Sequence, residues 1–395
     1  MPAHPPVLIA GYARTPFVRF AGQFAAQPAT TLGAHAVRAA LSRAGVAPEQ
    51  VDQLVAGQVL QAGAGQNPAR QTAVGAGIPL SVPALTVNAV CLSGTEAVSQ
   101  AVRLIRAGEA EIVVAVGQES MSLAPHVVPL RAGVKYGDAA LVDTVERDGL
   151  SDAFDQVAMG ALTETGNAPH GLTREAQDAF AAASHQRAAA SAEFLAGEIA
   201  PFAVASRRGE QLVSTDDGVR ADTTAESLAR LRPAFAQDGT ITAGNASQIT
   251  DGAAALVLVS ERAAERIGIA PLARVEATAF VAGPDTQLHA QPARAVAAAL
   301  AKLDGDVGAS GLRAVEINEA FAAVGLVSIA ELGVDPAIVN RHGGAIALGH
   351  PIGASGARIV GTLARQLAAE GAGALGAAGI CGGGGQGSGV VLRAV

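Results

Sequence analysis

Tryptophan is absent from this 395-residue chain, and aromatic residues make up only 3% of it. A core without large rings has to be filled by Ala, Val, Leu and Ile, with backbones drawn close around 47 glycines. That is the composition of an α/β protein. Cysteine is scarce too: only Cys91 and Cys381 occur, far apart in the chain. Two such residues exclude a disulfide framework and point to a reducing compartment, so a cytoplasmic location is expected. No run of about 18 uncharged apolar residues exists, and no membrane span is expected. The opening Met-Pro-Ala-His-Pro-Pro carries neither an apolar signal core nor an Arg-rich amphipathic pattern, so no targeting leader is expected. A basic surplus is also missing. The net charge of −8 argues against a general nucleic-acid binder.

Several chemical signatures are wanting. There is no Walker loop, no Gly-x-Ser-x-Gly elbow and no short-spaced Cys/His pair, so no metal is expected. Gly371 to Gly376 matches G-x-G-x-x-G, but it follows a predicted helix and precedes a strand. A dinucleotide site needs the reverse order.

What is present centres on Asn88 to Gly117. An extended approach, Ala84 to Val90, leads to a turn carrying Cys91 and then a helix. Ser93 and Glu96 are spaced as a capping box. Ala97, Val98, Ala101, Val102 and Ile105 recur at helical spacing, Gly108 ends the helix, and Glu111 to Val116 reads as a buried strand. Cys91 thus stands beside a helix N-terminus, where a thiol loses its proton readily. A lone cysteine is also, more plainly, a small buried apolar residue.

The length suits two or three domains. Val7 to Ala10 and Val51 to Val59 read as strands, Thr30 to Ala44 and Gln71 to Ala76 as helices. From Ser120 to Asp251 this alternation stops. Pro125, Pro129, Pro169 and Pro201 interrupt a segment with one evident helix, Arg174 to Leu195, and basic loops carrying Lys135, Arg207, Arg208 and Arg220. The segment reads as an insertion, after which Ala253 to Val259 returns to the core. The remainder repeats the start: Val275 to Phe280, Val296 to Leu303 and Ala314 to Ile317 echo the first strand, helix and second strand. Gly117 lies 24 residues after Ser93, and Gly379 lies 24 after Ser355, each closing a helix–strand pair. The expected division is residues 1–119 with 252–270, an insertion of 120–251, and a second half of 271–395. A pseudo-twofold between the halves brings Cys91, His350 and Cys381 toward one another.

A nucleophilic cysteine needs a base, and His350 sits in a Gly-rich turn entering a helix. Its plain alternative is a structural histidine. Gly382 to Gly385 offers backbone N–H groups to an oxyanion, or simply makes a tight turn. Cys381 is a candidate acid/base, and Asn318 follows a predicted strand.

Together these motifs resemble the thiolase family. The matches are Asn88-x-x-Cys-x-Ser-Gly, Gly117-Gln-Glu-Ser-Met-Ser, Gly244-Asn-Ala-Ser, Asp251-Gly-Ala-Ala, Asn318-Glu-Ala-Phe-Ala, Gly349-His-Pro-x-Gly-x-Ser-Gly and Cys381-x-Gly-Gly-Gly. They span nearly the whole chain in family order. The resemblance implies a duplicated fold, a layered αβαβα core with two mixed five-stranded sheets and an inserted loop domain that binds coenzyme A. It implies that Cys91 accepts the acyl group, that His350 activates it, and that Asn318 holds a water in the first oxyanion hole. Cys381 would be the acid/base, and the N–H groups of Cys91 and Gly383 a second oxyanion hole. Arg220, Ser227, Ala243 and Ser247 match coenzyme-A contacts; Leu150, Met159 and Phe321 match acyl-pocket walls. Cofactors are expected to be none, with coenzyme A and acetyl-CoA as substrates, and the assembly a homotetramer formed as a dimer of dimers.

The activity implied is acetoacetyl-CoA cleavage and its reverse, the condensation of two acetyl-CoA. Two departures bear on chain length. The family's His-Met-Gly stands here as Ala158-Met-Gly, and Ser-Gly-Ile-Asn-Asp as Ser247-Gln-Ile-Thr-Asp. A broader 3-ketoacyl-CoA thiolase is therefore the alternative. A non-catalytic acyl-CoA binder on the same fold predicts a degraded site, and a decarboxylating ketosynthase predicts a His or Asn in place of Cys381.

Overall fold

A computed structural model describes residues 5–206, 209–305 and 307–395 of the chain; Arg207 and Arg208 of the basic loops lie outside them. The first half contributes strands β1 (Val7–Arg14), β2 (Gln53–Gly57), β3 (Ala84–Val87), β4 (Ile112–Glu119) and β5 (Thr250–Ser260). The second contributes β6 (Ala273–Ala282), β7 (Leu312–Ile317), β8 (Leu375–Gly382) and β9 (Gln386–Arg393). Their order is β7-β8-β9-β6-β1-β5-β4-β2-β3, read from one edge to the other. The two halves therefore run on as one sheet, joined where Val7, Leu8 and Ile9 of β1 pair antiparallel with Val275, Arg274 and Ala273 of β6.

The repeat is visible in the pairing. β2 is parallel to β4 as β7 is to β8, while β5 and β9 each run antiparallel between neighbours. The second half stops one strand short. At the position of β3 it has only an isolated parallel bridge, Val315 to Val339. The reason is Asn340, with φ +47°, whose side-chain amide donates to the Ile317 carbonyl and accepts from the Ile317 N–H. That side chain takes the two bonds a continuing strand would have made.

Eight helices matter for the site: α1 (Ala29–Ala44), α2 (Pro68–Gly75), α3 (Ser93–Arg106), α4 (Met159–Asn167), α5 (Arg174–Ala190), α6 (Gln291–Leu300), α7 (Ala322–Leu332) and α8 (Ser355–Ala368). β5 explains the layering. Ala253, Ala255, Val257 and Val259 face a core shared with Leu32, Val37 and Leu41 of α1. Ala254, Leu256 and Leu258 face a second core with Val98 and Val102 of α3 and Ile359 and Leu363 of α8. A strand buried on both faces reads as a continuous apolar run, which is why this one was legible. Helices α3 and α8 pack against each other and against strands of both halves. They are the middle layer.

Small residues make that layer possible. A Cβ on Gly94 would lie 2.5 Å from the Ala357 nitrogen, and one on Gly356 2.3 Å from the Thr95 nitrogen. The helices meet backbone to backbone at their N-terminal turns.

Two local expectations need correction. Ser93 and Glu96 do not form a capping box: the N-cap is Leu92, without a side-chain cap. Ser93 Oγ accepts from the Ala89 N–H and donates to the Val90 carbonyl, so it fastens the turn ahead of the helix. Glu96 instead accepts from Ser388 of β9. The single helix expected over Arg174 to Leu195 is two, broken at Ser191, with the second spanning Ala192–Glu198.

Between β4 and β5 lies the long excursion 120–249. It is tied to the core through a buried cluster in which Arg14 meets Glu198 at 2.8 Å and Asp216 at 2.7 Å. Among the described residues no helix is long and apolar enough to cross a membrane.

Candidate active site

Cys91 stands at the tip of the turn between β3 and α3. The residue before it, Val90, has φ +52°. A β-branched residue in the left-handed region is strained. The bonds from Ser93 and the bond from the Val90 N–H to Asn88 Oδ1 hold it there. Strain over-determined in this way is how a chain fixes a reactive side chain in one place.

His350 arrives from the second half, just ahead of α8, its N–H bound to the Gln248 carbonyl at 2.9 Å. Gly349, with φ +105°, packs so closely on Thr250 that a Cβ would lie 2.4 Å from its methyl group. Cys381 lies in β8, and Gly383 to Gly385 make the hairpin turn to β9, so the glycine run is a turn as well as a set of N–H groups. Cys91, His350, Cys381 and Gly383 all line one cavity of about 720 Å³. Leu150, Met159 and Phe321 form its apolar walls, and Ala243 and Ser247 line it on the side of the excursion. Ala158 is part of the same wall.

Asn318 does not line this cavity. It is buried behind His350, with Nδ2 3.5 Å from His350 Nδ1 and Oδ1 without a partner among the described residues. Arg220 and Ser227 line a second cavity of about 420 Å³. Ala243 and Gln248 border both cavities, so the two adjoin. The Arg220 N–H donates to His185 Nδ1, whose pKa burial and the Arg220 charge push down to about 4. No cluster of three potential metal ligands occurs among the described residues.

Protonation follows from burial. The enclosed His350 ring is held down to about 3 and is neutral. Its Nδ1 lies 2.6 Å from Ser355 Oγ, which also lies 3.1 Å from the Pro351 carbonyl. A hydroxyl has one proton, and a carbonyl can only accept. Ser355 donates either to Nδ1 or to Pro351; in the second case Nδ1–H donates to Ser355 and leaves His350 Nε2 bare. That atom is buried and has no protein partner among the described residues. In that tautomer the ring presents a base to the cavity.

The Cys91 thiol is pushed up to about 12, chiefly by burial, while the N–H groups of Cys91 itself and Gly383 hydrogen-bond to the sulfur and pull the other way. The helix N-terminus does not win here, because desolvation of a thiolate outweighs it. Cys381 is raised by burial and by its neighbour Cys91. Both cysteines are thiols at rest, and each needs a partner to ionise it.

Two residues of the site, Ser355 and Glu119, were not singled out by sequence reasoning, and Gln248 entered there only as a departure from the family pattern. Ser355 Oγ lies 2.6 Å from His350 Nδ1. Glu119 accepts from the N–H groups of Val59, Leu60 and Gly353, joining the two halves beneath the cavity. Gln248 borders both cavities. Ser355 and Glu119 stood inside quoted motifs, but nothing in the sequence separated their work from that of their neighbours.

Comparison with known proteins accords with this geometry. The family models "Thiolase, N-terminal domain" and "Thiolase, C-terminal domain" match residues 7–262 and 269–394. A protein of Mycolicibacterium smegmatis named "Probable acetyl-CoA acetyltransferase" is 53% identical over 98% of this chain and 100% of its own length. An "Acetyl-CoA acetyltransferase" of Pseudomonas aeruginosa is 47% identical over 98% of both chains. One from Shinella zoogloeoides is 45% identical over 99% of both.

Proposed function

The chain belongs to the thiolase family, and we propose that it is an acetyl-CoA C-acetyltransferase that cleaves acetoacetyl-CoA with coenzyme A and runs the reverse condensation. The observation that carries this reading is the meeting of two thiols and a neutral imidazole on the wall of one largely apolar cavity. Its relatives' shared name supports the substrate.

In cleavage, His350 Nε2 takes the Cys91 proton as the sulfur attacks the 3-keto carbon. The C2–C3 bond breaks, leaving an acetyl group on Cys91. Its electron pair stays on C2 of the departing acetyl-CoA, which takes the Cys381 proton. Coenzyme A then gives its thiol proton to Cys381 and attacks the acetyl group. Cys91 leaves as thiolate and recovers the proton held by His350. The N–H groups of Cys91 and Gly383 stabilise the acetyl oxyanion, and His350 with a water held by Asn318 stabilises the enolate oxygen. One such donor contributes roughly 3–4 kcal/mol in the transition state. Coenzyme A enters as a substrate, with Arg220, Ser227, Ala243 and Ser247 along its arm and Leu150, Met159 and Phe321 around the acyl group.

The test is coenzyme-A-dependent loss of acetoacetyl-CoA, with mass spectrometry for an acetyl adduct at Cys91. Turnover with that adduct is expected; a folded protein that neither turns over nor acylates would refute the assignment. The methyl group of Ala158 in the wall favours a second reading, broader 3-ketoacyl-CoA cleavage. Efficient cleavage of chains of about eight carbons or more would select it.

The protein is further proposed to act in the cytoplasm as a homotetramer. The stretch 120–137, expected to form the tetramer contact, exposes Leu130 and Tyr136, at 56% and 99%. Apolar groups so placed are covered in an assembly. Light scattering is expected to return four chain masses, and one chain mass would refute it.

A further inference from the structure

We infer that Gln248 Oε1 is a fixed hydrogen-bond acceptor for an amide N–H of the pantetheine arm of coenzyme A, placed at the seam between the two cavities. The inference rests on the proposed thiolase reading and adds a contact that the family pattern, with glycine at this position, does not contain.

The side chain borders both the cavity of Cys91 and the cavity of Arg220 and Ser227. Its Nε2 lies 3.2 Å from the Gly218 carbonyl, 3.1 Å from that of Ile346 and 3.4 Å from that of Ala347. Three carbonyl oxygens can only accept, so the NH₂ end of the amide must face them. The opposite flip would set Oε1 against three oxygens at once. The ordinary ambiguity of a glutamine amide is thereby removed. Among the described residues no hydrogen bond to Oε1 is formed, and on this half-buried side chain Oε1 is not a buried unpartnered atom, so it stays open to a ligand.

The seat is rigid. The Gln248 carbonyl takes the His350 N–H at 2.9 Å, and the neighbouring Ser247 N–H is bound to Ala320 at 3.0 Å. Opposite, a Cβ on Gly218 would fall 2.6 Å from Gln248 Nε2 and 2.7 Å from the Ala347 oxygen, so this position leaves no room for a side chain. The seam lies between the proposed thioester-binding cavity and one holding an arginine and a serine, so an N–H of a substrate arm that crosses it would meet Oε1. An acyl chain offers no N–H. The pantetheine arm carries two amide N–H groups between its sulfur and its phosphates.

The test compares wild type with Gln248→Leu on two substrates at saturating coenzyme A: acetoacetyl-CoA, and the acetoacetyl ester of ethanethiol, which has the same acyl group and no amide. KM for acetoacetyl-CoA is expected to rise roughly fivefold, the span of one neutral hydrogen bond, with kcat held within about twofold. The ethanethiol ester is expected to lose nothing. Equal losses on both substrates, or none on either, would overturn the inference. A measurement needing no variant stands beside it. Calorimetry on wild type is expected to show pantetheine methylated on both amide nitrogens binding roughly fivefold more weakly than pantetheine. Equal binding would overturn the inference even if no thioester were cleaved, which separates its failure from that of the thiolase reading.

Discussion

Replacing Cys91 by alanine is expected to lower turnover of acetoacetyl-CoA by about 10⁴-fold or more, the scale seen when the nucleophile of a coupled catalytic set is removed. The acetyl adduct should vanish with it. Cys381→Ser separates the two halves of the chemistry. A serine hydroxyl is too weak an acid to exchange the C2 proton, so condensation and cleavage should fall about 10²- to 10⁴-fold. Acetyl transfer from acetyl-CoA to Cys91 should persist, though slowed, because the coenzyme A that Cys381 would protonate can leave as a thiolate, whereas the C2 carbanion cannot form without an acid/base. Finding the adduct on a residue other than Cys91, or full turnover in either variant, would remove the two-thiol mechanism. The pH dependence carries the same argument. A thiol pushed up to about 12 by burial is neutral throughout the physiological range. Alkylation of Cys91 by iodoacetamide in Cys381→Ser should therefore climb from about pH 7 to about pH 10 without levelling. A plateau below about pH 9 would mean that the N–H groups outweigh burial.

Replacing Gly356 by alanine is expected to cost at least the upper end of the roughly 1–3 kcal/mol range for overpacking. The added methyl group would lie 2.3 Å from the Thr95 nitrogen and 3.0 Å from Gly94 backbone, and neither can swing aside as a side chain does. To make room, α3 must move away from α8. Cys91 and His350 lie in the turns just ahead of those two helices, so the separation reaches the site as well as the core. Gly371→Ala is the control: nothing lies within 4 Å of its Cβ position, and its backbone is not left-handed. The unfolding midpoint of Gly356→Ala should drop by several degrees while that of Gly371→Ala stays near wild type. A Gly356→Ala protein that melts with wild type would show that the close approach of the two helices is not required.

Much of this was legible in residue order because the physics involved is local. The apolar run of β5 and the helical spacing of Ala97, Val98, Ala101 and Val102 needed no knowledge of their neighbours. The repeat of Ser93 to Gly117 in Ser355 to Gly379 was visible as spacing alone, and it was enough to bring Cys91, His350 and Cys381 toward one place. Long-range pairing was not legible. Ser93 and Glu96 have the spacing of a capping box, yet Ser93 is drawn to the strained turn at Val90 and Glu96 to Ser388, almost the whole chain away. The lost fifth strand depends on whether the Asn340 amide finds Ile317.

The sequence by itself determined the class of fold and the duplication, since each rests on composition, periodicity or a repeated motif; it offered Cys91, His350 and Cys381 as candidates, whose roles came only as what the family resemblance implies. Tertiary structure decided the protonation states and the seam. Burial sets the charge of Cys91 and His350, and burial is a property of everything packed around them. The orientation of Gln248 is set by three carbonyl groups, from Gly218, Ile346 and Ala347, that chain folding alone brings to one point.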